Sequence, residues 1–231
     1  MRFLTVSFTI FSLFLPATMR ADDAPIVLEL FTSEGCSSCP PADELLQEFA
    51  KRDDVIALAL HVDYWDYLGW KDEHAQPAFT KRQQNYAYVG KRRTIFTPEL
   101  IVQGQSSVAG HSKSHIQASI AAHQESPKLA TISIEKSANG FSVNIAPVGQ
   151  SAPAADLLLV GFLPDASVAI KRGENAGETI LYTNIVGNVS AIGSWSGSSE
   201  TTIEIEKLEG PQAIIVQQQG HGPILSAARL D

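Results

Sequence analysis

The sequence predicts an α/β domain at residues 24–126 followed by an all-β, sandwich-like domain at residues 127–231. The first half alternates short apolar runs with segments of helical period, which is the pattern of strands and helices in one sheet. The second half has short apolar runs separated by turns rich in Gly, Ser and Pro, without a helical period. The change comes near Glu125–Lys128 without a long linker, so we expect the two domains to pack together.

The first 21 residues have the order of regions that a secretory signal peptide requires. Arg2 is followed by the apolar stretch Phe3–Leu15 and then by a short polar segment. The apolar stretch is shorter than the roughly 20 residues that span a bilayer, so cleavage near Ala17 to Ala21 is expected rather than a retained anchor. No later segment is apolar for long enough to be transmembrane. We therefore expect a periplasmic or otherwise secreted protein, without a transmembrane anchor after cleavage.

The charge balance argues against nucleic-acid binding. The chain has 17 Lys and Arg against 25 Asp and Glu, a net charge of −8, and loss of residues 1–21 would bring it to about −10. Phosphate backbones are bound by clustered Lys and Arg, and the basic run Lys91–Arg93 is expected to be a solvated loop. With 44% hydrophobic residues, the mature chain can bury one large core or two small ones.

The first half contains four expected strands and three expected helices. The first helix is indicated by Ala42, Leu45, Leu46 and Phe49, which recur at the spacing of one buried helix face. The expected elements, in chain order, are the strand Ile26–Phe31, a helix ending near Lys51-Arg52, the inner strand Val55–Val62, a helix at about Pro77–Val89, the strand Glu99–Val102, a strand at Ser107–Ala109 and a helix at about Ser114–Gln124.

The second half contains an expected hairpin and five further strands. Thr131–Glu135 and Phe141–Ile145 alternate polar and apolar residues around Asn139-Gly140, which is a strong hairpin signal. The other expected strands are Leu157–Leu163, Val168–Lys171, Thr179–Val186, Thr202–Leu208 and Ala213–Gln218. We expect Pro164-Asp165 to separate the first two of these.

The feature that carries chemistry is Cys36-Ser-Ser-Cys39, which holds the only two cysteines and lies between the first strand and the first helix. This is the place and spacing of the redox-active disulfide in thioredoxin-like proteins. The attacking species is a thiolate, and a helix N-terminus stabilises negative charge on sulfur. We expect Cys36 to be the exposed nucleophile and Cys39 the inner thiol that resolves the mixed disulfide. The sulfurs carry the electrons, so no organic cofactor is implied.

Two alternatives use the same thiols. In the first, the protein is a non-enzymatic envelope interaction module with a permanent disulfide. By the loop-entropy relation, a four-residue ring stabilises a fold by only about 2 kcal/mol, against about 4.7 kcal/mol for a hundred-residue loop, which favours a redox centre. In the second, the thiols bind or deliver copper or zinc together with His111, His115 or His123, because thiolate and imidazole suit these ions.

The dipeptide Thr97-Pro98 directly precedes the strand Glu99–Val102. In thioredoxin-like proteins a cis-proline lies at the start of a strand that faces the disulfide, where it helps to present the substrate backbone. Cis peptide bonds are largely confined to X-Pro pairs. We therefore expect Thr97-Pro98 to be cis and to line a substrate groove.

The segment His61–Asp72 follows the second strand. If the first two strands are parallel, their carboxyl ends lie at one edge of the sheet, where ligands usually bind. Asp63, Trp65, Asp66 and Trp70 would then surround the disulfide as part of the substrate groove. The aromatic rings could shield the sulfurs or grip an extended chain, and Asp63 could accept a proton as a buried carboxylate. Alternatively, the rings only close the core.

Four segments together resemble one family: LFTSEGCSSCPPAD at 30–43, HVDYWDYLGW at 61–70, KRQ at 81–83 and TPELIVQG at 97–104. It is the secreted thioredoxin-like family known as domain of unknown function 1223, and RGENAG at 172–177 with Thr183-Asn184 is similar to its β-rich half. The resemblance implies a thioredoxin-like fold over nearly the whole mature chain. Gly35 stands where thioredoxin has a Trp, and a long segment precedes Pro98. Both differences argue against a thioredoxin-type reductase partner.

These observations predict a thiol–disulfide oxidoreductase that acts on envelope proteins. Cys36 attacks, Cys39 resolves, and Pro98 with Thr97 shapes the substrate groove. The partner is a protein thiol or disulfide. The direction of exchange and the oligomeric state are not indicated by any residue.

The sequence Arg172-Gly-Glu-Asn in the second half has two interpretations. It is either a turn with a salt bridge, or a segment whose side chains recognise a partner at the interface with the first half. In the second case the recognising residues are Arg172, Glu174 and Asn175.

Overall fold

The structure, a computed structural model, describes residues 24–230, so the predicted signal peptide lies outside the described residues. The helices are α1 (Pro40–Ala50), α2 (Pro77–Val89) and α3 (Lys113–Gln124), with a 3-10 turn at Asp66–Leu68. The strands are β1 (Ile26–Thr32), β2 (Val55–His61), β3 (Glu99–Val102), β4 (Ser106–Ala109), β5 (Ala130–Ser137), β6 (Gly140–Pro147), β7 (Ala155–Ala169), β8 (Thr179–Trp195), β9 (Thr201–Glu206), β10 (Gln212–Gln218) and β11 (Ile224–Leu230). None of the helices in this part of the chain combines the length and apolar character needed to cross a bilayer.

One mixed sheet of eight strands organises the molecule, in the order β11-β10-β7-β8-β2-β1-β3-β4. β1 and β2 are parallel, in a register that runs from Ile26 opposite Val55 to Thr32 opposite His61. Their carboxyl ends therefore lie at the same edge of the sheet, as the sequence predicted. A second sheet has the order β5-β6-β9.

The predicted fold class, an α/β thioredoxin-like domain followed by an all-β sandwich, is wrong. Strands β7, β8, β10 and β11 from the second half extend the sheet of the first half, and β8 joins it beside β2, with Ala59 opposite Ile185. The physical reason is that the buried backbone groups on the outer side of β2 need hydrogen-bond partners, and β8 borders that side. Only β5, β6 and β9 form a separate sheet. The domain limits at residues 126 and 127 stay a prediction, and the eight-stranded sheet crosses them.

Both faces of the large sheet are covered. Ile26, Leu28 and Leu30 of β1 belong to an apolar cluster that includes residues of α1 and α3. Val27 and Phe31, which alternate with them, belong to a second cluster that includes residues of α2. Burial on both faces explains why β1 and β2 are apolar along nearly their whole length.

β7 and β8 form a long antiparallel hairpin, paired from Ala155 opposite Trp195 to Ala169 opposite Thr179. The hairpin extends along α1, where Gln47 Nε2 donates to the carbonyl oxygen of Leu181 at 2.8 Å. Its tip is the segment of residues 170–178, which we call the strap. The hairpin thus carries a segment of the second half to the amino-terminal end of α1.

Candidate functional site

Cys36 and Cys39 form a disulfide between the end of β1 and the start of α1, with their Cα atoms 5.4 Å apart. Cys39 is the N-cap residue of α1, and its carbonyl oxygen accepts hydrogen bonds from Ala42 N (2.8 Å) and Asp43 N (3.1 Å). The helix begins at Pro40, where a proline is tolerated because the first turn needs no N–H donor. Pro40 and Pro41 have no N–H group, and those of Ala42 and Asp43 bond to the Cys39 carbonyl oxygen, so the helix dipole alone is left to favour negative charge on the adjacent sulfurs.

Both cysteines are buried: Cys36 is 1% exposed and Cys39 is 0% exposed. The prediction that Cys36 is an exposed nucleophile is therefore wrong for this conformation. The intervening Ser37 and Ser38 are exposed, so the two cysteines are shielded from solvent while the rest of their loop is not.

On one side of the loop lies the predicted groove. The Thr97–Pro98 peptide bond is cis, as expected, and Ser38 Oγ donates to the carbonyl oxygen of Thr97 at 3.5 Å. Trp65 Nε1 donates to Thr97 Oγ1 at 2.7 Å. Gly35 packs so closely that a Cβ added to it would lie 3.0 Å from Trp65 Cβ. Trp65 and Thr97 are thus brought together at the disulfide loop.

The other predicted groove residues organise the His61–Asp72 segment. Asp63 Oδ1 accepts a hydrogen bond from Thr80 Oγ1 on α2 at 2.5 Å, and Asp66 Oδ1 accepts one from Asp72 N at 3.2 Å. Asp63 and Asp66 are only half-buried. Trp70 Nε1 donates to Glu34 Oε2 at 2.5 Å, two residues before Cys36 in the chain.

Buried acids that the sequence analysis did not single out lie around the loop. Asp72 Oδ2 accepts hydrogen bonds from Glu34 N (2.9 Å) and His61 Nδ1 (2.7 Å), and Asp72 Oδ1 accepts one from His74 N (2.9 Å). Burial raises the pKa of Asp72, but the hydrogen bond and charge of His61 outweigh burial, so this pKa lies below its usual value. Asp72 is thus held as an anion in contact with the Glu34 backbone.

Glu34 itself is 1% exposed. Burial, followed by the negative charge of Asp72, raises the pKa of Glu34 to about 7. Its Oε1 has no hydrogen-bond partner among the described residues. A carboxyl group in this state gains and loses a proton near neutral pH.

Asp43 lies one helical turn after Cys39. Side chains four residues apart on a helix share a face, with Cβ atoms about 5–6 Å apart, and both residues are buried. Within residues 24–230 neither carboxylate oxygen of Asp43 has a hydrogen-bond partner. Burial raises the pKa of Asp43 well above its usual value. Asp43 is therefore a buried acid whose protonated form is favoured, on the same helix face as the inner cysteine.

The predicted metal ligands are not assembled with the cysteines. His111 and His115 are exposed, and His123 Nε2 lies 2.9 Å from Ser106 Oγ. Among the described residues, the group with the spacing of a metal site is Glu34, His61 and Asp72, whose ligand atoms lie within 4.8 Å of one another. It contains neither cysteine. Three hydrogen bonds already satisfy the Asp72 carboxylate, whereas Glu34 Oε1 and His61 Nε2 have no hydrogen-bond partner among the described residues.

The strap covers the other side of the loop. Asn175 Nδ2 donates to the carbonyl oxygens of Glu34 (2.8 Å) and Cys36 (3.0 Å). Glu174 Oε2 accepts a hydrogen bond from Ser37 Oγ at 2.7 Å. Glu174 and Asn175 therefore contact the first half at the disulfide. Arg172 instead lines a cleft of about 650 Å³ together with Trp70 and Glu34.

A family model described as "Protein of unknown function (DUF1223)" matches residues 27–218. The chain belongs to the DUF1223 family. This DUF1223 chain is similar to the crystal structure of protein AGR_C_4864 from Agrobacterium tumefaciens, with a TM-score of 0.77 and 29% identity over 89% of this chain and 93% of that chain. It also shares its fold with HBP35 of Porphyromonas gingivalis, with a TM-score of 0.57 and 15% identity over 90% of this chain and 74% of that one. No curated protein matches the chain.

Proposed function

We propose that this DUF1223 protein is a thiol–disulfide oxidoreductase that acts on exported proteins through Cys36 and Cys39. The supporting observation is a short-range disulfide at a helix N-terminus with two protonatable buried acids, Glu34 and Asp43, close by in the chain. A disulfide that only stabilises a fold needs no acid beside it. A disulfide that opens and closes needs a group that supplies and takes up protons.

The exchange begins when a thiolate of a partner protein attacks Sγ of Cys36. The Cys36–Cys39 bond breaks, a mixed disulfide forms between the partner and Cys36, and Cys39 leaves as a thiolate that takes a proton from Asp43. A second thiolate of the partner then attacks the partner's sulfur in the mixed disulfide, and the Cys36 thiolate is released. Two electrons pass from the partner's dithiol to the cysteine pair, and the partner leaves with a new disulfide. The reverse sequence reduces a partner's disulfide.

The groove residues are assigned to binding the partner chain. Thr97, Pro98 and Trp65 lie beside the loop, and Tyr67, whose side chain is 77% exposed, stacks on Trp65 with ring centroids 6.5 Å apart. Exposed aromatic rings bind extended polypeptide through their apolar faces. We assign a supporting role, that of holding the His61–Asp72 segment in place, to Asp63, Asp66 and Trp70. We propose a location outside the cytoplasm, because disulfides persist in oxidising compartments and residues 1–21 have the pattern of a signal peptide.

Trapping tests the proposal. In the reverse, reductive direction the Cys36 thiolate attacks a partner's disulfide and Cys39 resolves the mixed disulfide, so with Cys39→Ser the mixed disulfides through Cys36 should accumulate and appear as higher bands on non-reducing gels of cells that express the variant. Cys36→Ser is the matched control and should accumulate none. If neither variant forms adducts with exported proteins, the exchange activity is refuted.

A second candidate function is an interaction module whose disulfide is structural. The burial of both cysteines supports it, because a permanent disulfide needs no access for a nucleophile. The two candidates differ in how easily a dithiol reduces the disulfide at equilibrium.

A further inference from the structure

We infer that the strap is a gate over Cys36 and that Asn175 is the positioning residue that holds it closed. This inference rests on the proposed function, because it explains how a buried disulfide can exchange with a partner. Asn175 is 6% exposed, and its side-chain amide donates hydrogen bonds to the carbonyl oxygens of Glu34 and Cys36, the two neighbours of Gly35. The strap thereby fixes the backbone of the residue whose sulfur must be attacked.

The strap is held to the loop mainly by polar contacts. Asn175 provides the inner contact, and Glu174 provides the outer one by accepting a hydrogen bond from the exposed Ser37. The Cα of Gly173 lies against Trp70, where an added Cβ would be 3.3 Å from Trp70 Cβ. Most strap residues are exposed, so lifting the strap uncovers little apolar surface.

The strap is also a self-contained turn. Gly177 N donates to the carbonyl oxygen of Ile170 at 2.8 Å, and Ile170 N donates to that of Glu178 at 2.9 Å, which closes its base. A further bond joins Ala176 N to the carbonyl oxygen of Gly173 at 3.3 Å. These bonds remain intact when the contacts to the cysteine loop break. The strap can therefore lift from the loop while the β7–β8 hairpin stays paired.

Gated access has a kinetic consequence. A small dithiol such as dithiothreitol attacks Cys36 by the exchange steps given above, but only in the open fraction of molecules. The observed reduction rate is then the intrinsic rate multiplied by that fraction. Removing the Asn175 amide raises the open fraction in the oxidised protein. Two hydrogen bonds of ordinary net strength correspond to about a tenfold change.

The test measures reduction of the mature protein by excess dithiothreitol, with free thiols alkylated at each time and counted by mass. Asn175→Ala and the isosteric Asn175→Asp, which lacks the N–H donors, should each react about tenfold faster than wild type. Ser37→Ala, which removes only the outer contact, should react about threefold faster. Glu178→Gln, at an exposed strap position, is the matched control and should react at the wild-type rate. Circular dichroism and urea midpoints identify any variant whose faster rate comes from unfolding.

The outcomes separate the gate from the proposed function. Equal rates for wild type, Asn175→Asp and Ser37→Ala overturn the gate, while adducts trapped through Cys36 would still support exchange. Faster reduction in these folded variants supports the gate even if no adduct with an exported protein is found. If Asn175→Ala does not fold, Asn175→Asp and Ser37→Ala decide the matter.

Discussion

The substitution Glu34→Gln is expected to remove the contribution of Glu34 to the pH dependence of stability near neutral pH. Burial and the charge of Asp72 raise the pKa of Glu34 from 4.5 to about 7. Because the folded protein holds this proton more tightly than the unfolded chain, the stabilisation is fully present below pH 4.5 and is lost as the pH rises through 7. A shift of this size corresponds to about 3 kcal/mol. Solvent in the adjacent cleft screens part of it, so we expect about 2 kcal/mol.

The side chain in Glu34→Gln imitates the protonated acid at every pH. Its oxygen can accept the Trp70 N–H, and its amide can donate to Asp72. In urea unfolding followed by tryptophan fluorescence, the variant should match wild type at about pH 4 and exceed it by about 2 kcal/mol at pH 8.5. Burial lowers the pKa of His74 and His221. Both histidines are present in the variant and in wild type, so their contributions cancel in the difference between the two unfolding free energies. An identical pH dependence in the two proteins would show that Glu34 binds its proton no more tightly in the folded protein than in the unfolded chain.

Three further substitutions test other parts of the account. Asp43→Asn removes the proposed proton donor and should slow exchange at pH 7 by at least about tenfold in a partner-thiol assay. It should cause no loss of stability in urea unfolding, because Asn, like the protonated acid, brings no charge into this buried site. Gly35→Ala places a methyl group 3.0 Å from Trp65 Cβ and should cost about 1–3 kcal/mol in urea unfolding. Arg82→Met leaves the buried Glu29 without its ion pair and should cost about 3–5 kcal/mol. Adding Glu29→Gln should restore much of that loss.

Local elements could be predicted because their signals are local. α2 at Pro77–Val89 and β3 at Glu99–Val102 have the predicted bounds, since a proline at the first helical position and a short apolar run are readable in sequence. The placement of the cysteine pair between β1 and α1 is confirmed for the same reason.

Strand pairing could not be predicted, because periodicity indicates which side chains are buried but not which strand lies beside them. Pro164 was expected to end a strand, yet β7 continues through it. The pairing passes from Leu163 opposite Ile185 to Asp165 opposite Thr183, so the missing N–H of Pro164 is not needed in the ladder. Asn184, in the left-handed region at φ +50°, instead donates its side chain to the carbonyl oxygen of Ala57 on β2.

The site was predicted only in part. Cys36 and Trp65 could be brought together from sequence because strand ends of a parallel pair meet at one edge, and Pro98 was expected beside them from the cis-proline position of thioredoxin-like proteins. Asn175 could not be placed there, because it reaches the loop from 139 residues away through the β7–β8 hairpin. Asp43 gave a weak signal: it is four residues after Cys39 and borders the apolar face of α1. Its burial became evident only from the packing of the helix against the sheet and hairpin.

The equilibrium of the Cys36–Cys39 disulfide with dithiothreitol decides whether the bond exchanges or is permanent. The mixture is approached from both the oxidised and the reduced protein, and alkylated thiols are counted by mass. We expect a standard potential above about −300 mV, in the range of disulfides that exchange. A potential below that value would mark the bond as a permanent structural disulfide and would rule out thiol–disulfide exchange as its function.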